Sequence, residues 1–99
     1  MDVTLMYVDG CPSWREAEAR LHEALALVGR PEVAVTLRRI ETDEEAVAAE
    51  FRGSPTFLVD GADPFAEDGG GFGLSCRLYR TDAGLVGSPT VDQLVATLG

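Results

Sequence analysis

The stretch Val3-Thr-Leu-Met-Tyr-Val8, Asp9-Gly10, Cys11-Pro12-Ser13-Trp14 decides how this chain is read. Residues 3–8 form a nearly continuous apolar, β-prone run. Such a run suits a strand covered on both faces, as in a parallel or mixed α/β sheet. Asp9-Gly10 ends it as a turn, and the proline after Cys11 suits the first turn of a helix. Trp14, Ala17, Leu21, Ala24, Leu25 and Val28 then recur at helical spacing and mark one face. Glu16 and Arg20, four apart, support the outer surface, and Gly29-Arg30-Pro31 stops the helix.

Working outward, residues 33–40 are a second β-prone segment. Thr42 and Glu45 make a T-x-x-E capping box for a short helix over 46–51, with Val47 and Phe51 on one face and Gly53 as its stop. Gly53-Ser54-Pro55-Thr56 leads into a third strand, Phe57-Leu58-Val59, closed by Asp60-Gly61. Residues 62–74 read as a glycine-rich loop insertion, residues 75–80 as a fourth strand, and Asp82-Ala83-Gly84 as a turn. Ser88-Pro89 opens a last helix with Val91, Leu94, Val95 and Leu98 on one face. The expected order is β-α-β-α-β-β-α, an α/β fold in one domain over residues 1–99. Gly-Ser-Pro-Thr occurs at 53–56 and at 87–90. The first copy precedes a β-prone run and the second precedes helical spacing, so the pair is not an internal repeat.

Composition narrows the function. Eight bases, all arginine, stand against 17 acids, a net charge of −9. That balance argues against nucleic acid, where affinity is built on phosphate neutralisation, and against an anionic membrane surface. No apolar run approaches the roughly 18–20 residues of a membrane span. The first residues lack the basic front of a signal peptide, so the expected setting is a reducing cytoplasm. Two cysteines are too few for a disulfide-stapled scaffold and form no C-x-x-C zinc pair. His22 is the one histidine and reads as a solvated helix residue. Lysine is absent, so the glycines of 61–73 are not a P-loop. Glu41, Asp43, Glu44 and Glu45 read as helix N-terminal charge and solubility. No metal site and no cofactor are expected.

A strand, a turn, Cys-Pro at the mouth of a helix and Ser-Pro-Thr before a buried strand resemble the thioredoxin-like fold family over nearly the whole chain. The resemblance implies a central mixed four-stranded sheet, an active-site cysteine at Cys11 and a cis-proline at Pro55 beside it. In that family the backbone at the cis-proline pairs with an extended thiol-bearing peptide. The family's C-x-x-C motif here reads Cys11-Pro12-Ser13-Trp14, so Trp14 stands where the resolving cysteine belongs. The C-P-x-W, S-P-T and S-C-R-L-Y stretches are similar to small bacterial thioredoxin-like proteins, some described as alkylmercury lyases. A lyase's paired thiols and carboxylate have no evident counterpart in this chain.

The residues themselves leave choices open. At a helix N-terminus the helix dipole favours a thiolate at Cys11, which is both nucleophile and soft-metal ligand; the alternative is a small buried hydrophobe. Asp9 reads as a turn residue rather than a proton carrier. Trp14 suits both an apolar substrate wall and the core. On the resemblance, Pro12, Ser13, Ser54 and Thr56 would border a substrate. Cys76 stands at the start of an expected fourth strand that begins at the end of the sheet away from the helix mouth, so it should lie about 15–20 Å from Cys11. A disulfide needs Cα atoms within about 7 Å, so Cys76 reads as a strand residue in preference to a resolving thiol. The favoured expectation is a monothiol thiol–disulfide oxidoreductase working through Cys11 on a thiol- or disulfide-bearing protein or a small thiol. A redox-inactive binding or adaptor module and a soft-metal or organomercurial thiol-binding protein are the alternatives. An exposed sheet edge leaves room for a homodimer.

Overall fold

β1 (Val3–Tyr7) is the central strand of a three-stranded sheet of order β2-β1-β3. It pairs in parallel with β2 (Val35–Arg39) and antiparallel with β3 (Thr56–Val59). Val3, Leu5 and Met6 are fully buried, as expected of a strand covered on both faces. Its alternating side chains feed two cores. Val3 and Leu5 meet Ala17, Leu21, Ala24 and Leu25 of α1 (Ser13–Leu27) and Leu94 and Leu98 of α3 (Val91–Leu98). Met6 points the other way, to Ile40, Phe51 and Ala46 of α2 (Asp43–Ala48). The structure, a computed structural model, describes residues 1–66 and 71–99. Residues 67–70, with two of the glycines of 69–71, lie outside the described residues.

β2 is an edge strand, and Thr36, Leu37, Arg38 and Arg39 on it are exposed. Charged side chains on an edge discourage pairing with other chains. The helix after β2 is shorter than its pattern. Thr42 caps it by accepting from the Glu45 amide at 3.1 Å, and it ends at Ala48. Glu50, at φ 53°, takes the left-handed turn expected of Gly53. The turn buries Ala46 with Phe51 and leaves Val47 59% exposed, so the expected Val47–Phe51 face is corrected to an Ala46–Phe51 one.

The second half departs further. The strand expected over 75–80 begins only at Tyr79. β4 (Tyr79–Thr81) pairs antiparallel with a strand that the sequence pattern does not announce, β5 (Gly84–Val86), in a separate two-stranded sheet. Gly84, at φ 97°, starts β5 instead of closing the turn. Among the described residues the sheet around β1 therefore has three strands where four were expected. Among the described residues no helix is long and apolar enough to cross a membrane.

Candidate functional site

Cys11 follows the Asp9-Gly10 turn at the end of β1 and is held there by its amide, which donates to the Val8 carbonyl at 3.0 Å. Pro12 is the N-cap of α1 and Ser13 its first residue. Among the described residues no side chain caps that helix, so the partial positive charge of its N-terminus is open to Cys11. The cysteine is 5% exposed. Trp14 stacks on Tyr7, ring centroids 4.2 Å apart, and packs against the α1 core; the Arg15 guanidinium covers its ring at 5.2 Å. Trp14 is thus chiefly a packing residue. Asp9 is an exposed turn residue whose carboxylate lies 3.8 Å from Arg39. His22 is exposed on α1.

Cys76 forms a disulfide with Cys11, with Cα atoms 6.0 Å apart. This corrects the expected separation of a strand length. The reason lies in the backbone just before β4. Residues 75–77 are not part of a strand leaving from the far end. They run beside Ser54, whose amide donates to the Ser75 carbonyl at 2.7 Å and whose carbonyl accepts from the Arg77 amide at 2.9 Å. Gly53 permits this approach. Its φ is 118°, and a Cβ there would meet the Arg77 Cβ at 3.0 Å and the Ser75 carbonyl at 3.2 Å.

The Ser54–Pro55 bond is cis, as the resemblance implied. Ser54, Pro55 and Thr56 are buried. The Ser54 hydroxyl accepts from the Val8 amide at 3.0 Å, fastening the end of β1 to the same residue that holds the Cys76 segment. Thr56 Oγ1 donates to the Gly53 carbonyl at 2.6 Å, and the Pro55 carbonyl accepts from the Tyr79 hydroxyl. Ser54 and Thr56 make these bonds within the protein, and Ser54 holds the backbone on either side of Cys76.

Two residues that matter here carried no expectation. Arg77 Nη1 donates to Asp63 Oδ2 at 2.8 Å and to Thr56 Oγ1 at 3.3 Å, while Nη2 donates to the Phe65 carbonyl at 2.7 Å. Its guanidinium lies 4.6 Å from the centre of the Tyr79 ring. Asp63 and Arg77 side chains are 8% and 11% exposed, so this is a nearly buried ion pair tying the 62–66 loop to the Cys76 segment. Burial raises the Tyr79 hydroxyl pKa above its ordinary value, Arg77 opposing and Asp63 adding to the rise. The hydroxyl therefore stays protonated as a donor to Pro55. Arg77 adjoins Cys76 in sequence, but nothing local signals that its partner lies 14 residues back.

Two clefts border this region. One of about 380 Å³ is lined by Val8, Asp9, Gly10, Ile40 and Leu74, among others, and so adjoins both cysteine-bearing segments. A larger one, about 510 Å³, has Arg52, Arg77, Arg80 and Gln93 in its wall, away from Cys11. Among the described residues no group of three or more His, Cys, Asp or Glu side chains is arranged to hold a metal ion. Chemically, the site is a disulfide at a helix mouth, in contact with solvent through the exposed Cys76. Comparison with protein-family models, curated proteins and solved structures gives no match.

Proposed function

We propose that this chain is a thioredoxin-like thiol–disulfide oxidoreductase whose redox pair is Cys11 and Cys76. The observation that carries this reading is the disulfide at the mouth of α1 with one exposed cysteine. The strand order β2-β1-β3, α1 and α3 on one face with α2 on the other, and the cis-proline beside the sulfurs support the scaffold. The pairing supplies within the chain the second thiol that the Trp14 position lacks, so the monothiol form gives way to a two-cysteine cycle. In that cycle a partner thiolate opens the disulfide and forms a mixed disulfide, releasing one protein thiolate. A second partner thiolate then releases the other. Two electrons pass from the two partner thiols to the protein disulfide, and both protein sulfurs take protons from water. The partners are thiol- or disulfide-bearing proteins or small thiols.

The test is equilibration of the native protein with glutathione and glutathione disulfide over a range of ratios, followed by alkylation and mass analysis. Open and closed forms should interchange, and Cys11→Ser and Cys76→Ser should each abolish catalysed exchange. A pair that stays closed throughout, with a potential below about −300 mV, is a structural staple and ends this reading. Exchange that survives in both variants ends it equally.

A further inference from the structure

The two sulfurs of the disulfide are not equivalent, and their inequality runs against the expectation placed on Cys11. Cys11 is buried and Cys76 is exposed. Exchange requires a thiolate to approach one sulfur from the side opposite the bond it breaks, so access decides which sulfur is attacked. The leaving sulfur departs as a thiolate, and the better-stabilised thiolate leaves faster. That favours Cys11, next to the N-cap of a 15-residue helix whose first turn lacks a side-chain cap. Of the acids near it in sequence, Glu16 of the first turn is paired with Arg20, and Asp9 lies 3.8 Å from Arg39, which also pairs with Glu41. Among the described residues Cys76 stands at no helix N-terminus. The guanidinium of its neighbour Arg77 is turned to Asp63, Thr56, the Phe65 carbonyl and the Tyr79 ring.

We infer that Cys76 is the sulfur that receives the partner and that Cys11, the helix-mouth cysteine, is the resolving thiol. This rests on the redox reading above. The partner thiolate attacks Cys76 Sγ, the Sγ–Sγ bond breaks, and the electron pair leaves on Cys11 Sγ. In reverse, Cys11 thiolate attacks Cys76 Sγ in the mixed disulfide, re-forms the internal bond and expels the partner as a thiolate. Ser54 holds residues 75 and 77 by backbone bonds that do not involve either sulfur. The loaded Cys76 therefore stays within reach of Cys11. By microscopic reversibility, a substrate disulfide reduced by the open form is also captured on Cys76.

The experiment uses the oxidised wild-type protein with glutathione near half-reduction, quenched in acid, capped with N-ethylmaleimide and digested with trypsin. Cleavage after Arg15, Arg52 and Arg77 puts Cys11 and Cys76 on separate peptides, 1–15 and 53–77. Glutathione should be found on the Cys76 peptide and maleimide on the Cys11 peptide, with the opposite arrangement at least about tenfold rarer. Exchange with glutathione on the Cys11 peptide, or shared equally, overturns the assignment and leaves the redox reading standing. No exchange at all overturns both.

Discussion

The tetrapeptide Gly-Ser-Pro-Thr is used twice, and each copy braces one partner of the same covalent link. Gly53 of the first lies against Ser75 and Arg77, around Cys76; Gly87 of the second lies against Ser13, two residues from Cys11. An arginine reinforces each copy: Arg77 donates to Thr56, and Arg20 donates to the Pro89 carbonyl at 3.0 Å. The conformations nevertheless diverge. Pro55 is cis and enters a strand, with Thr56 turned back to its own Gly53 carbonyl. Thr90 is a helix N-cap that accepts from the Gln93 amide while Gln93 returns the bond. Three residues after Thr56 stands Val59, which has no side-chain oxygen to close a capping box. Four identical residues do not fix a backbone; their downstream neighbours do.

The largest difference should lie between the arginines. Arg77→Met leaves Asp63 nearly buried without its closest partner and should cost about 4 kcal/mol, whereas Arg20→Met, on a partly exposed helix face, should cost about 1 kcal/mol. Urea unfolding of the oxidised proteins measures both; equal losses would erase the contrast. The glycines come next. Gly53→Ala meets a left-handed φ and a tight neighbour at once and should cost about 3 kcal/mol. It should also shift the thiol–disulfide equilibrium toward the open form. Gly87→Ala meets Ser13, with the added Cβ well inside contact distance of both its Oγ and its Cβ, but at a φ that an alanine adopts freely. A loss of about 1–2 kcal/mol is expected, partly recovered by adding Ser13→Gly. Recovery of Gly53→Ala by that same change would contradict the structure.

The smallest effect belongs to the hydroxyl on Pro55. Tyr79→Phe should cost about 1 kcal/mol at neutral pH. Its pH dependence is more telling. The folded pKa lies above the unfolded value of about 10. The stability linked to that proton is therefore complete below about pH 10 and is lost as pH rises beyond it. The chain has no lysine and one other tyrosine, Tyr7, so few groups obscure this range. The urea midpoint of the oxidised protein should fall above about pH 10, and less so in Tyr79→Phe; identical alkaline limbs would discount the burial of Tyr79.

What was legible in the sequence was local. The β-prone run 3–8, the turn, Cys11-Pro12 and the period of α1 announced the helix mouth because each depends on neighbours within a few residues. Cys76 lies away from where its pattern puts it, because residues 75–80 read as one strand. Their first part is instead set by backbone bonds to Ser54, distant in sequence, and such bonds leave no side-chain pattern. The Asp63–Arg77 pair was hidden for the same reason. The proline isomer was legible only through a resemblance, since Ser-Pro is read identically at 54–55 and 88–89.

The link between Cys11 and Cys76 spans a sequence separation of 65 residues. Once the strand pairing of β1 with β2 and β3 has given way, a molecule pulled by its two ends carries the load through that link, and the chain between the two cysteines stays slack. The closed chain can lengthen only through its two tails. Opening the bond under tension would release about 220 Å of stored contour, the reach of the bypassed segment when fully extended. A single-molecule trace in a thiol solution would record each exchange as one step of that size.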